Sequence, residues 1–227
     1  MWEVCFQECT RLLRSVKSLI TVAVIVGISY WVSDLVNQVA DIFSEKELAH
    51  GHALGVFVLV MLFGPLFVFG LSHDIMNREL SSRTIRFLLT RTSRASIVLG
   101  KWFGVLLFWT CCMLVTFGVL FASVRTFDAN TLWQCMTLLV YSTSLALLMS
   151  IAVPRPSYTM FAGIVLGLGL PFLGLWTLVS SHATAKWIGY LTPYFYIEKG
   201  GAFTGVIWLY ALLFLSASVY LFQRRDC

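Results

Sequence analysis

The chain has 227 residues, of which 59% are hydrophobic and only 12% are charged, and its formal net charge is +5. Soluble domains average about 25% charged residues, so this composition excludes an ordinary soluble domain and indicates a membrane protein. The basic residues cluster at the ends of apolar blocks, a distribution that does not indicate nucleic-acid binding.

Residues 1–16 predict a helix that lies on the membrane surface before the first span. Apolar side chains recur at helical spacing through the stretch MWEVCFQECTRLLR, and polar side chains fill the other face. This pattern is typical of an interfacial amphipathic helix. Cys5 and Cys9 share one face of it, and the sequence leaves open whether they pack as apolar residues or are acylated.

Six long apolar blocks predict six transmembrane helices, because about 20 apolar residues cross the hydrocarbon as a helix. The spans are expected at residues 17–36, 53–73, 102–124, 130–153, 158–180 and 203–222. The expected fold class is an all-α polytopic membrane protein that forms one transmembrane domain over residues 1–227. No segment is suited to a separate soluble domain.

The distribution of lysine and arginine predicts the orientation of these spans. With both termini in the cytoplasm, twelve basic residues fall in inner segments and four in outer segments. Inner loops of membrane proteins carry the excess of basic residues. The sequence therefore predicts a multi-pass protein of the cell membrane with both termini cytoplasmic.

Two histidines, His50 and His52, precede the second span, close to Asp41, Glu45 and Glu47. Histidine and carboxylate side chains are metal ligands, so one hypothesis is a metal site on the outer face. The other is a polar loop that leads into a helix. The sequence leaves both open, and we assign no metal.

Prolines and glycines interrupt the second and fifth spans, where Pro65 and Pro171 each remove a helix hydrogen bond. One interpretation is close helix packing, for which Gly163-x-x-x-Gly167 is a motif. Another is a pliable helix that lines a pathway, and the two are compatible. The candidate pathway residues are apolar or aromatic: Phe63, Pro65, Phe67, Pro171, Phe172 and Trp176.

A basic segment joins the second and third spans and reads NRELSSRTIRFLLTRTSRASIVLGK over residues 77–101. Its single acid is Glu79, and its basic residues are Arg78, Arg83, Arg86, Arg91, Arg94 and Lys101. A strongly basic amphipathic segment at the cytoplasmic face indicates either a docking site for a soluble partner or a contact with anionic lipid headgroups.

The longest outer segment, residues 181–201, is rich in aromatic side chains and is interrupted by Pro193 and by Gly200-Gly201. Aromatic residues are frequent at membrane interfaces. We expect a short re-entrant or interfacial helix in this segment.

Motifs for catalysis are missing from the sequence. Gly100-Lys101 is the nearest approach to a phosphate-binding loop, but Ala95 stands at the first glycine position and Trp102 follows the lysine. The spans also lack the buried ionisable groups of an intramembrane enzyme or of an ion-coupled carrier. We therefore expect no enzymatic activity in this chain itself.

The order of these parts resembles the permease subunit of type-2 ABC exporters, the class that includes drug, antibiotic-peptide and polysaccharide export permeases. The basic segment matches the family pattern at Glu79, Leu88-Leu89, Ser93-Arg94 and Gly100-Lys101. The ending Phe222–Asp226 also resembles that of the family. The pattern departs at Ser82-Arg83, where the family has Gly-Thr, and at Arg91-Thr92, where it has a proline turn.

The resemblance implies that residues 77–94 form a coupling helix that docks on a soluble ATP-binding subunit. The implied contact residues are Arg78, Glu79, Arg83, Arg86, Phe87, Leu88 and Arg94. ATP and magnesium would then be bound by that partner and not by this chain. The resemblance further implies two other partners, a second copy of the permease in a homodimer and membrane lipid. The implied function is export of a hydrophobic or amphipathic substrate: a peptide, a drug or a lipid-linked molecule.

Two functions from other classes remain as alternatives to export. One is a membrane scaffold or immunity protein that binds a partner without transport. The other is a membrane-embedded metal-dependent enzyme that uses His50 and His52.

Overall fold

The computed structural model describes residues 1–38, 45–81, 85, 92–124, 127–153, 155–180 and 182–224. No β-strand occurs within these ranges. The α-helices are α1 (Trp2–Leu13), α2 (Val16–Gln38), α3 (Glu45–Ser72), α4 (Asn77–Ser81), α5 (Arg94–Val124), α6 (Ala129–Ala152), α7 (Pro156–Val179), α8 (Ala183–Gly189), α9 (Pro193–Lys199) and α10 (Thr204–Arg224).

Six of these helices, α2, α3, α5, α6, α7 and α10, are long and apolar enough to cross a membrane. The predicted all-α polytopic fold with six spans is therefore confirmed. Helix α5 begins at Arg94, before the expected start of the third span at residue 102. Lys101 consequently lies inside this helix and not in a loop.

Helix α6 forms the centre of the bundle and packs against α3, α5 and α10. Its hydrophobic stretch is 72% buried, whereas that of α2 is 22% buried and that of α7 is 28% buried. Helices α2 and α7 thus each pack one side on the bundle, mainly against α3, and leave a broad apolar side uncovered.

Glycines on α7 allow it to lie against α3 with their backbones in contact. A Cβ atom at Gly167 would stand 2.7 Å from the Cα of Leu66, and one at Gly163 would stand 3.2 Å from the Cβ of Phe69. Larger residues would separate the two helices, as expected for a small-residue packing motif. The structure gives this glycine face of α7 a packing role.

Helix α9 contacts both α3 and α7 through Tyr194, which is fully buried. Pro65 has no N–H to donate to the carbonyl of Met61 four residues earlier. The Tyr194 hydroxyl donates to that carbonyl at 2.9 Å. Its ring lies against Gly174, where a Cβ atom would approach within 2.4 Å. Tyr194 thereby supplies the hydrogen bond that Pro65 removes.

Candidate functional site

Helix α1 lies in a notch of α5 that is formed by Gly100 and Gly104. A Cβ atom at Gly104 would stand 2.7 Å from the carbonyl oxygen of Cys5 and 2.7 Å from the Cβ of Glu8. At Gly100 it would stand 3.0 Å from the carbonyl oxygen of Met1. Residues four apart lie on one face of a helix, so the two glycines together admit the α1 backbone.

Lys101, between these glycines, is buried at 1% exposure and lies between two carboxylates. Its Nζ is 2.6 Å from Oε1 of Glu79 and 3.3 Å from Oε2 of Glu8. The other oxygen of Glu8 pairs with Arg11 on the next turn of α1. The two carboxylates are thus balanced by two basic groups, and we call Glu8, Glu79 and Lys101 the ionic triad.

The ionic triad joins three elements that are distant in sequence. Glu8 belongs to α1, Glu79 to the start of the basic segment, and Lys101 to α5. Charges removed from water are costly unless they are paired and hydrogen-bonded, so the three side chains must stay together in the folded state. The triad therefore fixes the basic segment to both α1 and α5.

A second polar cluster fixes the start of the segment to α6 and α7. The hydroxyl of Ser150 accepts hydrogen bonds from the backbone N–H groups of Met76 and Asn77 at 3.0 and 3.2 Å. The Asn77 side chain donates to the hydroxyl of Thr159 at 3.1 Å. Ser150 thus satisfies backbone donors at the start of α4, as a capping side chain does.

Arg94 ties the other end of the segment to α10. Its Nη1 donates to the carbonyl oxygens of Phe222 and Gln223 at 3.1 and 3.0 Å. The guanidinium also lies over the Phe222 ring, 5.9 Å from the centroid. A cation on the last carbonyls of a helix offsets the negative end of its dipole. Both ends of the segment are therefore fixed to the same end of the bundle.

The structure thus locates three of the seven predicted contact residues. Arg78 is exposed, Glu79 points to Lys101, and Arg94 is partly buried against α10. The other four predicted contacts lie outside the described residues: Arg83, Arg86, Phe87 and Leu88. The prediction that residues 77–94 form one coupling helix also extends beyond the described residues, of which Asn77–Ser81 is helical.

Glu8 is the member of the triad that the sequence interpretation missed. It follows Cys5 by three residues and precedes Leu12 by four, so it shares their buried face on α1. An acid on an otherwise apolar helix face is a signal for a buried partner. Gly100 and Gly104, on either side of Lys101, have the same Gly-x-x-x-Gly spacing as Gly163 and Gly167, and this spacing is the signal for close helix packing.

The six candidate pathway residues differ in exposure. Pro65 and Pro171 are buried between helices, and Phe67 is half-buried. Phe172 and Trp176 point outwards from α7 at 70% and 45% exposure, and Phe63 is 42% exposed on α3. Phe63, Phe172 and Trp176 thus contribute to the exposed apolar surface of the bundle, whereas the two prolines do not.

The thiols of Cys5 and Cys9 are buried against α5. Burial raises the pKa of both thiols, and for Cys9 the neighbouring Cys111 and Cys5 raise it further. The thiolate is the nucleophilic form. This arrangement favours apolar packing of both cysteines over acylation.

His50 and His52 lie in the first turns of α3, but their side chains fall outside the described residues. Among the residues that are described, no group of three or more His, Cys, Asp or Glu side chains is placed to hold a metal ion.

A family model described as "ABC-2 family transporter protein" matches residues 8–193. This match covers most of the chain and includes the basic segment and five of the six spans. The chain therefore belongs to the ABC-2 transporter family, as its sequence pattern predicted. No curated protein matches the chain. Membership of this family defines a multi-pass membrane subunit of a transporter, a class that is normally non-catalytic and works with an ATP-binding subunit.

Proposed function

We propose that this chain is the membrane-spanning subunit of an ATP-driven exporter and works with a separate ATP-binding subunit. The observation that carries the proposal is the attachment of the basic segment to the bundle. Glu79 binds Lys101 of α5, which also binds Glu8 of α1. Asn77 is bound to α6 and α7, and Arg94 is bound to α10. A segment attached in this way transmits a movement at the membrane surface to most of the bundle.

The proposed mechanism follows from these attachments. ATP and Mg²⁺ bind to the partner, and closure of two ATP-binding subunits moves the basic segments that dock on them. The ionic triad carries this movement to α1 and α5, and the Ser150–Asn77–Thr159 cluster carries it to α6 and α7. Packed helices respond to such a displacement by shifting between discrete arrangements. The bundle thereby alternates between inward-open and outward-open states.

Recognition of the ATP-binding subunit falls to the basic side chains of the segment, with Arg78 exposed at its start. Arginine makes bidentate contacts with carboxylates, and Phe87 and Leu88 are suited to an apolar notch on the partner. Glu79 has a different role because its carboxylate contacts Lys101. It holds the segment in position for docking.

The translocation pathway requires a second copy of the chain, and we propose a homodimer in the cell membrane with both termini cytoplasmic. The uncovered apolar sides of α2 and α7 provide surface for a partner helix bundle or for lipid. Exposed aromatic residues on α7, including Phe172 and Trp176, suit a hydrophobic or amphipathic substrate such as a peptide, a drug or a lipid-linked molecule.

The test is a pull-down of the tagged chain from native membranes in a gentle detergent. Wild type is compared with Arg83→Glu/Arg86→Glu and with a matched control, Arg14→Glu/Arg155→Glu, whose arginines are exposed outside the segment. We expect a stoichiometric ATP-binding protein with wild type and the control, and its loss with the first variant. Wild type without such a partner would refute the exporter and favour the scaffold.

A further inference from the structure

A cavity of about 290 Å³ lies between α1, the start of α2, the end of α3 and the start of α4. The side chains relevant to its chemistry are Arg11, Ser15, Lys17, His73, Asp74 and Arg78. The cavity is distinct from the ionic triad, although Arg11 lines it and also pairs with Glu8.

The cavity carries an excess of positive charge. Three of its side chains are cationic, Arg11, Lys17 and Arg78, and Asp74 is the single carboxylate among those that line it. Among the described residues that line the cavity or form the neighbouring triad, four side chains are cationic and three are anionic. This basic lining suits an anionic group such as a phosphodiester.

Apolar surface continues directly from the cavity along α2. Ile20 and Val24 follow Lys17 by three and seven residues and share its helix face. Their exposures are 58% and 38%, and both lie in the span. A phospholipid fits both features, with its anionic group in the cavity and its hydrocarbon chain beside α2.

We propose that this cavity binds the headgroup phosphate of an anionic phospholipid. Lys17 and Arg78 contact the phosphate oxygens from α2 and α4, with Arg11 on the α1 side, while Ile20 and Val24 contact an acyl chain. The position of the site in the inner leaflet depends on the proposed topology. Lipid binding at Arg11 would act next to Glu8 and so influence how firmly α1 holds the basic segment.

The experiment measures binding of purified chain to short-chain phosphatidylglycerol, phosphatidylcholine and inorganic phosphate, with thermal stability and native mass spectrometry as readouts. The variants are Lys17→Gln and Lys17→Gln/Arg78→Gln, and the matched control is Arg14→Gln/Arg155→Gln. We expect wild type and control to prefer phosphatidylglycerol. We expect the double variant to bind it about thirtyfold more weakly, since each basic side chain near anionic lipid contributes a similar free energy and two are lost.

Equal binding of both phospholipids would overturn the proposal, as would an equal loss in the Arg14/Arg155 control. If inorganic phosphate stabilises the chain as well as the phospholipid does, the occupant is a soluble anion and the lipid is rejected. A Tm of the lipid-free double variant equal to that of lipid-free wild type shows that the variant is folded, so its loss of lipid then reports weakened binding and not misfolding. These results do not depend on the ATP-binding partner, so failure here leaves the pull-down outcome unaffected.

Discussion

Replacing Lys101 by methionine tests whether the ionic triad holds α1, α4 and α5 together. Methionine has a similar length and no charge, so the helix and its packing volume are largely preserved. The change leaves Glu8 and Glu79 facing each other without the ammonium that lies 3.3 and 2.6 Å from them. Arg11 still pairs with Glu8, but the carboxylate of Glu79 loses its buried partner.

The expected cost is large because both the lysine and its partners are shielded from water. The lysine side chain is 2% exposed, and those of Glu8 and Glu79 are 5% and 20% exposed. Removing one partner of a buried ion pair destabilises proteins by about 3–5 kcal/mol. For a chain of this size, a loss of 3 kcal/mol lowers Tm by roughly 6–12 °C.

The assay is thermal unfolding of the purified variant in detergent, with Arg14→Met as the matched control. Arg14 is an exposed basic residue at the end of α1, and its loss should change Tm by a small fraction of that amount. A triple variant, Lys101→Met/Glu8→Gln/Glu79→Gln, removes both carboxylates together with the lysine. It should recover a large part of the loss, because neutral buried amides avoid the desolvation cost and mutual repulsion of two carboxylates that have lost the lysine between them.

Two results would refute this reasoning. An unchanged Tm for Lys101→Met would show that the lysine contributes little to holding α1 and the basic segment. A triple variant no more stable than Lys101→Met would show that the cost comes from lost packing and not from the two carboxylates that face the lysine.

Two further changes test the close contacts of α9 and α1, each by thermal unfolding in detergent. Tyr194→Phe should cost about 1–3 kcal/mol of stability, because it leaves the Met61 carbonyl unpaired. The cost should be smaller in a Pro65→Ala background, where the restored N–H can reach that carbonyl. Equal costs in both backgrounds would contradict this role of Tyr194. Gly104→Ala should cost roughly 1–3 kcal/mol because its Cβ would stand 2.7 Å from α1, whereas Gly118→Ala, with nothing within 4 Å, should be neutral or stabilising. Equal effects at the two glycines would argue against the notch.

The sequence by itself determined the class of this protein. Apolar blocks of about 20 residues leave few structures other than membrane-spanning helices, since the backbone must satisfy its hydrogen bonds without water. The order of the spans and the motif around Glu79, Arg94 and Lys101 were sufficient to identify the family, which the family model confirms. These features are local in sequence, and local periodicity and composition can be read directly.

Only the tertiary structure decided what individual charged and polar side chains do. Lys101 reads in the sequence as one of several basic residues facing the cytoplasm, yet it is buried because α1 packs over Gly100 and Gly104. Its partner Glu8 is 93 residues away, and Tyr194 is 133 residues from the carbonyl it satisfies. Such pairs depend on how closely the helices approach, which is set by the shapes of surfaces distant in sequence and not by the periodicity of any one segment.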